Sequence, residues 1–284
     1  MPELTPFLEK ASLLRGPQPL RIVVCENGIA PKDTLRKALA GTGADLAQVT
    51  QGVIFCTSIP VEKGSLDILS EDYSELPYDV DEHLFRMPFT CFPAKENFDN
   101  LLQRKIYTYN CLSACIAYLG YYLGYTVYAE AANDPRVKRI CRQLCEGLNR
   151  TICHCMNLAP EEQEAFSERA LVKFSNPAIS DTIQKNARSA VRKLSPSERI
   201  MGPMNLMRTQ EEDVSILQMV AAAALLYLEK EEKPEYDGRH FEDLMELFAA
   251  LNPEEREGGK IQKIWKQMED GEDLDTIMIK LKEG

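Results

Sequence analysis

Residues 20–59 read LRIVVCENGIAPKDTLRKALAGTGADLAQVTQGVIFCTSI. Residues 20–25 (LRIVVC) form a short β-branched apolar run, as in a buried strand. Residues 33–40 (DTLRKALA) predict a helix, with Pro31 and Asp33 near its start and Gly41 at its end. Residues 51–59 (QGVIFCTSI) read as a second strand, stopped by Pro60, and residues 66–70 (LDILS) as a third. Strand, helix and strand in alternation point to α/β packing over the first ninety or so residues. Beyond about Pro93 the strand pattern does not return. Helical spacing runs through residues 135–156, 160–174, 179–191, 212–230, 241–251, 260–268 and 274–281. Ser195-Pro196 and Asn252-Pro253 are candidate helix starts.

At 284 residues, 44% hydrophobic and 27% charged, the chain is globular and has one or two domains. A formal charge of −11, from 44 acids against 33 bases, argues against non-specific binding to nucleic acid. The longest apolar run, residues 216–228, is interrupted by Gln218 and is shorter than the ~18 residues that suggest a membrane span. It reads as a buried helix. The opening MPELTPFLEK has no basic segment followed by an apolar one, so no signal peptide is expected and a cytoplasmic location is the default. The runs Glu229-Lys230-Glu231-Glu232 and Glu254-Glu255-Arg256-Glu257 read as solvated helix ends.

The residues able to carry chemistry are few. Cys141 and Cys145, at i and i+4, can share a metal on one helix face, with Cys153, His154 and Cys155 following. The paired Cys-x2-Cys knuckles of a zinc site are absent, and reduced cysteines are common small core residues, so no metal is expected. His83, His154 and His240 form no Ser/His/Asp or His-x3-His arrangement. Gly41-Thr42-Gly43 follows a helix and has Leu46 at the third glycine position of a dinucleotide fingerprint, so it reads as a helix cap and loop. Two segments stand out. Val24-Cys25-Glu26-Asn27 ends a buried strand with polar residues, at the strand end where ligands sit in open α/β sheets; Asn27-Gly28 is equally a common turn dipeptide. Residues 104–114 (RKIYTYNCLSA) place Lys105, Asn110 and Ser113 within one broad helix face, Asn110 about 140° from Lys105 at ~100° per residue. A lysine among apolar neighbours loses basicity and can serve as a general base. The plainer reading is a helix start with a snorkelling lysine and a capping asparagine.

In this order the two segments resemble the polyol-specific long-chain dehydrogenases. The family motif Lys-x4-Asn-x2-His is matched by Lys105, Asn110 and Ser113. Its Cys-Asp/Glu-Asn motif is matched by Cys25-Glu26-Asn27. Its Arg-Phe-x-Asn-Pro-x3-Asp motif is matched by Lys173-Phe174-Ser175-Asn176-Pro177 and Asp181, followed by the basic segment from Arg192 to Arg199. This version is most similar to the mannitol-1-phosphate branch.

The resemblance implies an α+β chain. Residues 1–93 would be the second half of a Rossmann-like dinucleotide-binding domain, and residues 94–284 a larger all-helical substrate domain. It implies hydride transfer between a polyol or polyol phosphate and NAD, with no metal. Lys105 would be the general base, and Asn27 and Asn110 would direct N–H groups at the reacting oxygen. Glu26 and Asn27 would contact the cofactor. Lys185, Lys193, Arg188, Arg192 and Asn176 would hold the substrate; an exposed basic helix face is the alternative for that stretch. The chain departs from the family twice. Ser113 replaces a histidine, and the glycine turn that grips the pyrophosphate is absent. The expectation is therefore an N-terminally truncated dehydrogenase, its cofactor half lost or supplied by a separate chain, and with little activity alone. The alternatives are a non-catalytic binding or scaffold relative, and a cysteine–metal helical module.

Overall fold

The structure is a computed structural model and describes residues 2–16, 18–26, 28, 30–44, 47–62, 64–80, 85–179, 181–232 and 259–283. Its contacts divide the chain into two units, Met1–Gln103 and Arg104–Gly284.

The N-terminal unit opens with α1 (Thr5–Arg15), which buries no residue and leaves Phe7 and Leu14 exposed. Next come β1 (Arg21–Val24), α2 (Pro31–Leu39) and β2 (Gln48–Gln51). β1 and β2 run parallel, with Arg21 opposite Gln48 and Val24 opposite Gln51. Parallel neighbours need a crossover, which α2 supplies. Leu35 and Leu39 of that helix close over Val24 and Val49 to make a small core.

The second strand differs from the sequence expectation. β2 ends at Gln51, where the expected strand begins, and residues 53–57 lie in no strand. β3 (Ser58–Pro60) and β4 (Ile68–Ser70) instead pair antiparallel in a largely exposed hairpin. The reason is polar. Thr50 Oγ1 donates to the Asp79 carbonyl at 2.8 Å. Gln51 Nε2 donates to Asp79 Oδ2 at 3.1 Å and to Asp99 Oδ1 at 2.6 Å. Lys32 completes the group with a buried 2.7 Å ion pair to Asp79. Apolar periodicity does not register a strand whose buried positions are satisfied by hydrogen bonds. A further two-residue pairing joins β5 (Tyr78–Asp79) to β6 (Ala94–Lys95), just past the point where strands were expected to cease.

From α3 (Phe98–Lys105) onward the described chain is helical apart from short turns and one isolated bridge. A π-helical turn (Ile106–Asn110) leads into α4 (Cys111–Tyr122). α5 (Tyr128–Asn133), α6 (Pro135–Met156) and α7 (Pro160–Phe174) follow. Asp134 explains the start of α6: its carboxylate accepts the N–H groups of Arg136 and Val137, and Pro135 takes the first position, where no N–H is needed. Then come α8 (Ile183–Ala187), α9 (Ala190–Lys193), α10 (Met201–Thr209), α11 (Ser215–Glu231), α12 (Lys260–Glu269) and α13 (Leu274–Glu283). Residues 216–228 are all buried within α11, which packs on α4 and α12. Among the described residues no helix is long and apolar enough to cross a membrane.

Three expectations need correction. Residues 179–191 are not one helix. The chain breaks at Ser189, whose φ is +61°, because the Glu232 carboxylate takes the N–H groups of Ser189 and Ala190 and starts a new helix there. The same contact removes Glu232 from the solvated run, since it is 8% exposed. Ser195-Pro196 starts no helix; the next begins at Met201. Residues 241–251 and Asn252-Pro253 lie outside the described residues.

Gly120 marks the tightest packing of α4. A Cβ there would lie 2.6 Å from Ala131 Cβ and 2.8 Å from Ile183 Cδ1. Gly120→Val is therefore expected to cost about 3 kcal/mol by overpacking. A denaturant midpoint equal to that of the wild type would contradict this packing.

Candidate active site

Lys105 closes α3, Asn110 closes the π-helical turn and Ser113 lies in the first turn of α4. Between the first two the winding is not α. The Cys111 N–H bonds the Ile106 carbonyl, an i→i+5 step. In such a turn residues five apart stand one turn apart, so Lys105 and Asn110 are brought closer to one face than α spacing allows. The wider turn also lets four successive large or β-branched residues, Ile106 to Tyr109, all be buried. Tyr109 packs edge-on against Phe166 with centroids 4.8 Å apart. Tyr107 lies against Gly202, where a Cβ would fall 2.6 Å from its hydroxyl oxygen.

Lys105 is 6% exposed. Burial, reinforced by the charges of Arg199 and Lys173, pulls its ammonium down to about 8. Lys193, 4% exposed, is pulled down to about 7 by burial and by Arg199 and Arg192. Its Nζ donates to the Asn186 carbonyl and stands 5.5 Å from the centre of the Tyr118 ring. Arg199 links the two lysines electrostatically. Its Nε meets Glu198 Oε2 at 3.1 Å, while Arg192 holds the other carboxylate oxygen at 3.0 Å. Two buried donors, Asn110 Nδ2 and Arg199 Nη2, have no hydrogen-bond partner among the described residues. Orphan donors beside buried cations suit a ligand rich in acceptor oxygens.

Ser113 is not isolated. Tyr128 Oη lies 3.1 Å from Ser113 Oγ, and burial pushes the phenol well up, so it remains a donor. The other expected substrate residues separate by burial. Lys185 pairs with Asp181 at 3.2 Å and is half-exposed. Arg188 and Arg192 are exposed. Asn176 is exposed, and its Oδ1 accepts the Ala178 N–H at 3.0 Å, closing a turn. Glu26 is exposed just past β1. Asn27, His83 and His240 lie outside the described residues. Sequence reasoning missed Tyr128, a lone aromatic with no motif around it, and Arg199, which sits in the basic segment but carries no spacing that marks it.

Cys111, Cys115, Cys141 and Cys145 are buried and read as core. Cys115 and Cys141 have sulfurs 3.6 Å apart, and burial pushes the Cys145 thiol up to about 12. Such thiols are unreactive. Cys155 and His154 are exposed. Among the described residues no three His, Cys, Asp or Glu side chains are grouped to hold a metal ion.

The helical unit matches a known class of domain. The chain belongs to the family described as Mannitol dehydrogenase C-terminal domain, which matches residues 97–276. Mannitol-1-phosphate 5-dehydrogenase of Arthrobacter sp. is 30% identical over 213 residues, covering 70% of this chain and 55% of that protein. The enzyme of the same name from Clostridium acetobutylicum is 28% identical over 240 residues, covering 80% and 62%. The chain thus spans 55% and 62% of the length of these two relatives. Among solved structures, Pseudomonas fluorescens mannitol 2-dehydrogenase in ternary complex with NAD and D-mannitol superposes with a TM-score of 0.66 at 15% identity, covering 98% of this chain and 66% of that one. A D-sorbitol dehydrogenase in substrate-free form gives 0.62 at 17%, covering 80% and 53%. At these identities the shared property is the fold.

A lysine that loses its proton on burial sets the pH dependence of stability. Between about 8 and its ordinary value of 10.5, the unfolded chain holds a proton on Lys105 that the folded chain has released. Stability therefore rises with pH across that window, and the penalty is fully present below it. Lys105→Met should be more stable than wild type at neutral pH and should show a shallower rise. Denaturant titrations at a series of pH values test this, and parallel curves would refute it.

Proposed function

We propose that the chain acts in the oxidoreduction of a polyol phosphate, of the mannitol 1-phosphate and fructose 6-phosphate type, with Lys105 as general base. The observation that carries this reading is the buried Lys105, drawn toward neutrality on the same turn as the unpartnered Asn110 amide. Neutral Lys105 accepts the proton of a secondary hydroxyl. Asn110 directs an N–H at that oxygen as charge develops on it, and Asn27 is assigned the same task. Lys193 and Arg199 offer positive charge to the substrate phosphate, with Lys185, Arg188 and Arg192 at the rim. The Ser113–Tyr128 pair stands where the family has histidine. It supplies a hydroxyl donor that holds the substrate without competing for the proton.

Residues 1–93 are read as the second half of a dinucleotide-binding fold. The parallel β1–α2–β2 unit supports this, as does the exit of the chain from β1 at Cys25 and Glu26, the strand end where nucleotides bind. Glu26 and Asn27 are the residues assigned to NAD, which when bound supplies the hydride acceptor. No observation supports a separate chain, and the proposal invokes none.

Ser113 in place of histidine favours a second reading, a binding relative without turnover. One pair of measurements separates the two. The full chain is given NAD and D-mannitol 1-phosphate, and turnover is compared with affinity for the sugar phosphate. On the first reading, Lys105→Ala lowers turnover about 10²- to 10⁴-fold and leaves affinity nearly unchanged. Turnover untouched by that substitution would overturn the lysine's role, and affinity with no turnover in the wild type would favour the second reading.

A further inference from the structure

We infer that Gln163, acting through Thr108, holds the π-helical turn that puts Lys105 and Asn110 on one face, and is thus a positioning residue of the site. The inference rests on the roles given above to Lys105 and Asn110.

A π turn is rarer than an α turn, and one that persists needs outside support. Here the support is a buried network from α7. Gln163 is fully buried. Its Oε1 accepts from Arg104 Nε at 2.7 Å. Its Nε2 donates to Thr108 Oγ1 at 3.0 Å and to Asn149 Oδ1 at 3.1 Å. Thr108 is the middle residue of the turn and is also fully buried. A helical threonine commonly turns its hydroxyl back to a carbonyl of its own helix. Here its oxygen accepts from a neighbouring helix, within the turn whose winding departs from α.

Arg104, the residue before Lys105, is fixed by the same helix. Its guanidinium meets Glu162 Oε1 at 2.6 Å and the Glu162 carbonyl at 3.2 Å, and lies 4.2 Å over the Phe166 ring. The end of α3 and the middle of the turn are therefore both tied to α7 through Gln163. In a dry interior a carboxamide satisfied three ways is a stiff constraint, because each lost bond strands a buried polar atom. Without it the segment is free to wind as α, which returns Asn110 to about 140° from Lys105. Gln163 is tied into this network rather than into the candidate site, so its effect must pass through the backbone of the turn.

Thr108→Val, Gln163→Leu and Thr108→Ser in the full chain test this. Thr108→Val keeps shape and spares the other two bonds of Gln163, so it serves where Gln163→Leu fails to fold. Crystal structures of wild type and variants report whether the Cys111 N–H bonds Ile106 or Tyr107. The kcat, KM and pH profile with NAD and D-mannitol 1-phosphate report the site. Thr108→Val is expected to move the bond to Tyr107, to lower kcat about tenfold to a hundredfold with KM little changed, and to shift the pH profile. Thr108→Ser should restore all three. A Cys111–Ile106 bond retained in both Thr108→Val and Gln163→Leu overturns the inference, as does a relaxed turn with unchanged kcat in a chain that Lys105→Ala inactivates. If Lys105→Ala has no effect, the functional reading falls separately, and the bonding of Cys111 alone decides what Gln163 does.

Discussion

An ammonium group taken out of water must find a carboxylate or give up its proton. Lys105 and Lys193 are both withdrawn, and the charge of the partly buried Arg199 acts on each. Glu198 is the carboxylate on Arg199, and it is divided between that guanidinium and Arg192. Burial and these like charges hold both lysines below their ordinary basicity. Such a centre is tolerable only where the surrounding packing is strong. It also leaves Lys105 less basic than an ordinary lysine, as the general-base role proposed for it requires.

The strength comes from α4 and α11. Thirteen consecutive residues of α11 are buried, and α4 buries nine of its twelve. Gly120 and Gly202 allow backbone and rings to approach where any side chain would collide. The polar parts are then set on this frame by specific contacts: Tyr128 on Ser113, Gln163 on Thr108, Lys193 on the Asn186 carbonyl. Apolar area fixes the unit, and hydrogen bonds aim its chemistry.

Much of this is written locally in the chain. β1 and α2 are readable from residues 20–40 because apolar runs and helix caps are short-range signals. The helices at 135–156 and 160–174 keep their expected limits for the same reason. Lys105, Asn110 and Ser113 are readable as a motif. What is not readable depends on partners far away in sequence. The π turn is bonded at its middle by Gln163, 55 positions beyond Thr108. β2 is displaced by buried polar bonds to Asp79 and Asp99. Arg199 matters only because folding sets its charge beside lysines that precede it.

Glu232 carries this dependence furthest. Its carboxylate caps α9 from the far end of α11, 43 residues beyond Ser189. The helix so capped ends in Lys193, one of the buried cations. The basic segment is thus fastened by a residue outside the motifs that carry the resemblance. A chain cut just short of residue 232 would keep every motif residue from Cys25 to Arg199 and still lose the carboxylate that holds the N–H groups of Ser189 and Ala190.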